Sequence, residues 1–352
     1  MPFAAARARR TRWAWAAACS RAPRGRRRCA WADIGLDGAP TALRSEIAYG
    51  EGSLSLDGLS LTTRGAELTG DIARNENGLL NGALKLDASD ISRLAALALR
   101  EASGAATASV TLEHDGETQS ARLQADLTRL DLAEPDLSAA SLSLDADLAD
   151  LFGVPVVRAG LDARALTLAG VEMQTLTATA KGSGDATDFT LDARLDDGAT
   201  ARLAGSLEPL GEGFRVALQQ ASLVKGGRGL DLKAPATVTV QGERIALDGL
   251  RFAAGDGEIA ATGTAADVLA LQLTLNRVPL SLANLVRPDL GADGTIGGVI
   301  DVRGQRERPE ADFLLRGQGI TVAQLARAGV APVALDLEGS TQGQRVALDA
   351  SV

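Results

Sequence analysis

From Thr41 onward the chain alternates apolar and polar residues with period two. Phe189, Leu191, Ala193 and Leu195 interleave with Thr190, Asp192, Arg194 and Asp196, and Leu269, Leu271, Leu273 and Leu275 interleave with Ala270, Gln272, Thr274 and Asn276. The same phase recurs at Ala108–Val110–Leu112, Leu123–Ala125–Leu127, Leu142–Leu144–Ala146–Leu148, Phe214–Val216–Leu218 and Val333–Leu335–Leu337. Alternate residues of a strand point to opposite faces, so this pattern predicts strands that are apolar on one side and wet on the other. Short punctuators such as HDGE, LDDG, EPLGEG, VQGE and AGDG separate them and suit hairpin turns. The expected fold is all-β: an elongated, coiled antiparallel sheet of roughly twenty strands, with two packed sheets or a closed barrel as alternatives. Long helices have no room between the strands, which excludes a doubly wound α/β fold.

Three segments break the period. Asp90, Ser281 and Thr321 each precede apolar residues at helical spacing: Ile91, Leu94 and Ala95; Leu282, Leu285 and Val286; Val322, Leu325 and Ala326. Each reads as a capping residue followed by a one- to two-turn helix with one apolar face, the second stopped by Pro288 and the third by Gly329. They suggest modules at 41–100, 101–275 and 276–352.

Composition qualifies the picture. Residues are 45% hydrophobic but only 3% aromatic, so whatever surface is buried is aliphatic. Nine arginines between Arg7 and Arg28 precede the first acid, Asp33. Removing those nine from the 36 basic residues leaves 27 against 45 acidic ones, a net charge of -18 for the remainder. Such a body repels phosphate backbones, and no nucleic acid is expected as a partner. The Arg-rich head, residues 1–32, holds all three Trp and both Cys. It is read as disordered or as the product of a wrong start or frame, with the genuine sheet occupying 33–352; an upstream frame that continues the strand pattern is the observation that would support this.

Little in the body suggests catalysis, and the protein is expected not to be an enzyme. His114, the one histidine, stands beside Asp115 and Gly116 and reads as a solvated turn residue. With Cys19 and Cys29 confined to the head, His- and Cys-based metal or nucleophile sets lack material. Asp145 and Asp147 fall on the polar phase of a strand, and Asp196 and Asp197 in a turn. The stretch GGRGLDLKA, Gly226 to Ala234, matches part of a calcium-binding nonapeptide but occurs once, and reads as a glycine turn leading into a strand. No catalytic, cofactor-binding or metal-binding residue is expected.

The stretch Leu275–Val322 combines Val278–Leu280 ahead of a short helix, Gly294–Gly298 at a strand start, and Pro309–Leu315 on the next strand. In this it resembles the TamB family, the large inner-membrane-anchored subunit of the translocation and assembly module, within the AsmA-like group. The resemblance implies a taco-like coiled sheet with a hydrophobic groove, spanning the periplasm between an inner-membrane helix and an outer-membrane β-barrel partner of the Omp85 type. It also implies phospholipid transport linked to outer-membrane protein assembly or secretion, without catalytic residues. The anchoring helix is not found in this sequence and RVALDASV ends in mid-strand, so an interior fragment is expected. Phospholipid acyl chains would lie against Phe189, Leu191, Leu195, Leu269, Leu271, Leu273, Leu275, Ile296, Ile300 and Val302. The alternative is a structural or adhesive β-solenoid of a secreted surface protein.

Overall fold

The computed structural model describes residues 17–21, 26–36, 39–50, 52–97, 99–342 and 345–351. It resolves into two compact units that divide at Thr177/Ala178. The first contains β1 (Ala17–Arg21), β2 (Arg26–Leu36), β3 (Ala39–Gly50), β4 (Ser53–Thr63), β5 (Ala66–Arg74), β6 (Leu80–Ala88), α1 (Ser92–Leu97), β7 (Ala102–Asp115), β8 (Thr118–Leu132), β9 (Leu137–Ala149), β10 (Val156–Leu168) and the start of β11 (Val171–Ser183). The second continues with β12 (Ala186–Leu195), β13 (Thr200–Leu210), β14 (Gly213–Lys225), β15 (Arg228–Leu232), β16 (Ala236–Gln241), β17 (Arg244–Ala254), β18 (Gly257–Ala265), β19 (Val268–Pro279), α2 (Ala283–Val286), β20 (Asp293–Gln305), β21 (Arg308–Thr321), α3 (Ala323–Arg327), β22 (Val333–Gln342) and β23 (Arg345–Ser351). Each unit is an antiparallel meander in which sequential strands pair, as the alternation predicts. One exception is β14, whose two halves pair with β15 and β16, a strand interrupted at Lys233–Pro235.

Three features bear on the sequence expectations. The head does not lie wholly outside the sheet: the backbones of β1 and β2 join the ladder, with Ala17 opposite Trp31 and Trp31 opposite Leu43, while the rest of the head lies outside the described residues. The units divide within β11 and not near residues 100 and 275, because β6 pairs with β7 across α1, and β19 with β20 across α2, without a break in the ladder. Two caps also differ. Asp90 does cap α1, accepting the Ser92 N–H at 2.9 Å, and this bond holds its carboxyl below the ordinary value. The other two short helices have no side-chain cap; Val322, not Thr321, occupies the N-cap of α3. Instead Asn284 clips its connection from both sides, donating to the Ala292 carbonyl and accepting the Ala292 N–H at 2.9 and 2.8 Å.

In a meander, successive turns fall on alternate margins. In the first unit the turns at 64–65, 133–136 and 169–170 share a margin with α1; in the second, those at 196–199, 226–227 and 255–256 share one with α2 and α3. We call this the helix margin of each unit and the opposite one the turn margin. The ladders shift register at Trp31/Ile34, Arg44/Glu46, Leu56/Leu59 and Ser103/Ala105 in the first unit, and at Ala204/Gly205, Leu247/Leu250, Leu275/Val278, Asp293/Thr295 and Gly317/Ile320 in the second. Those at Ser103/Ala105, Leu275/Val278, Asp293/Thr295 and Gly317/Ile320 lie beside the helix margin, while those at Leu56/Leu59, Ala204/Gly205 and Leu247/Leu250 are in mid-strand. A bulge inserts an extra residue into one strand and bends it. The extra backbone is left-handed at Gly58, Gly249, Gly319 and, without the relief of glycine, Arg277 at φ 46°. The Gly294–Gly298 phrase has its cause here: a Cβ at Gly294 would stand 2.6 Å from the Gly319 carbonyl oxygen, and one at Gly298 would collide with that of Leu314.

At the turn margin of the first unit one polar residue is buried. Gln119, 2% exposed, donates from Nε2 to the carbonyls of Leu80, Glu113 and Ser120 and accepts the Leu80 N–H on Oε1 at 2.6 Å. It ties the β7–β8 hairpin to the start of β6. Gln119→Leu leaves those backbone groups unsatisfied, and a loss of about 2–4 kcal/mol of stability is expected from denaturant unfolding.

Candidate functional site

The apolar phase of every strand in the second unit falls on one face, which can be followed through the register. Thr187 faces Leu207, Leu207 faces Val216, and the row continues through Val238, Leu247, Gly263, Leu271, Val302 and Ala311. A parallel row runs Ala261, Leu273, Ile300, Phe313, Gly339 and Leu348. Among the described residues of β12–β23 this phase carries no charged side chain apart from residues at strand ends, such as Lys225 at the end of β14, bonded at 2.7 Å to Asp197 in the turn at the helix margin.

The ten residues expected to line a groove all lie in this unit and on this face. Seven form one patch on β19 and β20: Leu271 faces Val302, Leu273 faces Ile300, and Leu269 and Leu275 face glycines. Ile296 joins them opposite Val278, beyond the bulge. Phe189, Leu191 and Leu195 belong to β12, several strands away in the ladder; Phe189 and Leu191 face Gly205 and Leu203. All ten are half-buried. Leucines of a closed sandwich core would be sealed, whereas these keep part of their surface open.

Burial across the face is graded from margin to margin. In the second unit the buried apolar residues include Ala193, Ala199, Ala254, Val278 and Ala292, at or near the helix margin. At the turn margin Leu207, Phe214 and Ile245 lie on the same face and are 39–41% exposed. The first unit follows this only in part. Ala66, Ala88, Ala106 and Ala139 are buried toward its helix margin and Tyr49 and Leu54 are exposed at its turn margin, but Leu79 is buried at the turn margin, and Leu168 and Val171 are exposed at the helix margin. The second unit therefore presents an aliphatic trough that is closed along the helix margin and open along the other. The open row was missed in the sequence because Leu207, Phe214 and Ile245 look like any other apolar strand positions. Counting turns by parity is the signal that would have placed them on one margin.

The outer face is a field of paired charges. Arg202–Asp192, Arg215–Glu208 and Arg316–Asp336 form cross-strand ion pairs at 2.9, 3.1 and 3.2 Å, and Gln272 donates to Asp301 at 2.8 Å. Asp147 pairs with Arg122 and Asp145 accepts from Gln124, which places both acids in ladder contacts on the outer face. One open depression on this face, of about 440 Å³, is lined by Glu67, Lys85, Asp87 and Asp126 among others. His114 departs from expectation: it lies one residue before the end of β7, opposite Gln119 and on the apolar face, and its Nδ1 is buried without a hydrogen-bond partner among the described residues. Among the described residues no three His, Cys, Asp or Glu side chains gather as a metal set, and no helix is long and apolar enough to cross a membrane.

Compared with family models, curated proteins and solved structures, the chain matches none.

Two carboxylates give a pH test. The Lys233 ammonium, bonded at 2.6 Å, holds Glu258 below its ordinary value of 4.5, and Lys225 with the Ala199 N–H holds Asp197 below 3.8. A carboxyl depressed in the folded state stabilises it above the unfolded value, and that contribution is lost as pH falls through the folded value. Denaturation midpoints should therefore decline below about pH 4.5, and Lys233→Met should flatten that decline relative to the parent chain.

Proposed function

We propose that this chain is a segment of a non-enzymatic hydrophobic conduit for phospholipid, with acyl chains against the trough and headgroups at its open margin. The supporting observation is the aliphatic face of the second unit: continuous in register over many strands, free of charge in the strand interiors, and half-buried in place of sealed. Apolar surface left accessible to water is unfavourable by roughly 25 cal/mol per Å², which an alkyl chain lying on it relieves. Such a site selects by hydrophobicity and width, so it suits long aliphatic chains and gives no purchase to a polar substrate.

The wider setting follows the TamB resemblance and is proposed with it. It comprises a periplasmic location in the cell envelope, anchoring at the inner membrane, an Omp85-type outer-membrane barrel as partner, and a link to outer-membrane protein assembly or secretion.

The test is native mass spectrometry of the purified chain, with lipid extraction. Phospholipid is expected to accompany the parent protein. Leu273→Asp, which puts a carboxylate in the centre of the β19–β20 patch, should remove most of it while strand content by circular dichroism is retained. Leu273→Ala should retain it. A parent chain that carries no lipid would favour the adhesive or structural reading instead.

A further inference from the structure

The open margin of the second unit is not uniform. Leu207, Phe214 and Ile245, on β13, β14 and β17, are exposed on the trough face. Beyond β17 the same margin is half-buried at Ala265, Leu269 and Gly304, on β18, β19 and β20, and is exposed again at Pro309 on β21. The change coincides with one side chain. Arg306, in the β20–β21 turn, donates from Nη1 to the Glu243 carboxylate and from Nη2 to the Glu243 carbonyl, both at 3.1 Å. Its Nε donates to the Ala266 carbonyl at 3.3 Å, and its backbone N–H to that of Asp267 at 2.9 Å. Three turns, β16–β17, β18–β19 and β20–β21, are thereby held together.

In a flat sheet the first and last of these turns would be four strand spacings apart, about 19 Å. A single guanidinium reaches both because the sheet coils tightly here. A planar fork with several donors suits this junction, whereas a lysine supplies one flexible point charge. Two of its acceptors are backbone carbonyls, so the grip does not depend on the exposed Glu243 carboxylate alone.

We propose that Arg306 is a clasp that closes the open margin of the trough over β18–β20, and that alkyl chains gain access on the unclasped side, across Leu207, Phe214 and Ile245. The occupant is the aliphatic chain of an amphiphile, since the exposed row is continuous with an interior face that offers no charge or polar anchor. Access at this lip rests on the conduit reading; the clasp does not.

The experiment uses the full chain carrying Cys19→Ser, Cys29→Ser, Gln241→Cys and Glu307→Cys, spin-labelled at the two new cysteines. Dipolar distance measurement should give a narrow distribution. Arg306→Ala should broaden it and lengthen it by about one strand spacing, ~5 Å, with Arg306→Lys intermediate. In parallel, stopped-flow uptake of dansylaminoundecanoic acid should accelerate several-fold in Arg306→Ala and slow several-fold in Ile245→Asp. An unchanged distance distribution in Arg306→Ala overturns the clasp, whatever the probe does. A loosened clasp with normal uptake in Ile245→Asp overturns access at the lip. Failure of the parent chain to bind the probe overturns access together with the conduit reading, and leaves the clasp to the distance measurement.

Discussion

A sheet with one apolar face must hide that face from water, and without a second sheet to lie against it has to bend. Bending costs backbone geometry, which the chain takes up in bulges. The ladders accommodate an extra residue at Gly58 in the first unit and at Gly249, Arg277 and Gly319 in the second. The residues sealed toward the helix margins include the alanines Ala66, Ala88, Ala106 and Ala139 in one unit and Ala193 and Ala254 in the other. Small side chains are what a sharply bent margin accommodates. The low aromatic content, 3%, thus has a structural reason, since rings would prop such a bend open.

The architecture was largely legible from alternation, because period two is a direct consequence of strand geometry and each apolar phase has only one face to occupy. The candidate patch was legible for the same reason: Leu269 to Leu275 and Ile300 with Val302 were grouped by phase, and pairing of β19 with β20 brings them together. Phe189, Leu191 and Leu195 share the face but not the neighbourhood, since phase carries no information about which strands adjoin. The bulges, the exposed lip and the Arg306 junction were not legible. They depend on register shifts and on contacts between turns as far apart as Glu243 and Arg306, for which local pattern offers no cue. Ser281 and Thr321 do not cap their helices, whose N-cap positions fall one residue later, at Leu282 and Val322; the first connection is held instead by Asn284.

The outer face solves a different problem. A body with a net charge of -18 outside the head would repel itself, yet its acids are interleaved with arginines and lysines across neighbouring strands, as at Asp192 with Arg202 and Asp336 with Arg316. Exposed pairs of this kind contribute little stability individually. Their alternation instead gives each strand a polar phase that disfavours a one-residue slip, because such a slip would turn charges inward and leucines outward.

The alternation of margins has a consequence for how such a chain can vary in length. Adding a single strand would reverse the sense of every later strand and send later turns to the opposite margin, setting bulges and alanines where the trough is open. Adding a hairpin restores both. Growth or loss is therefore tolerated in steps of two strands, and the trough can be lengthened without redesigning its closed side.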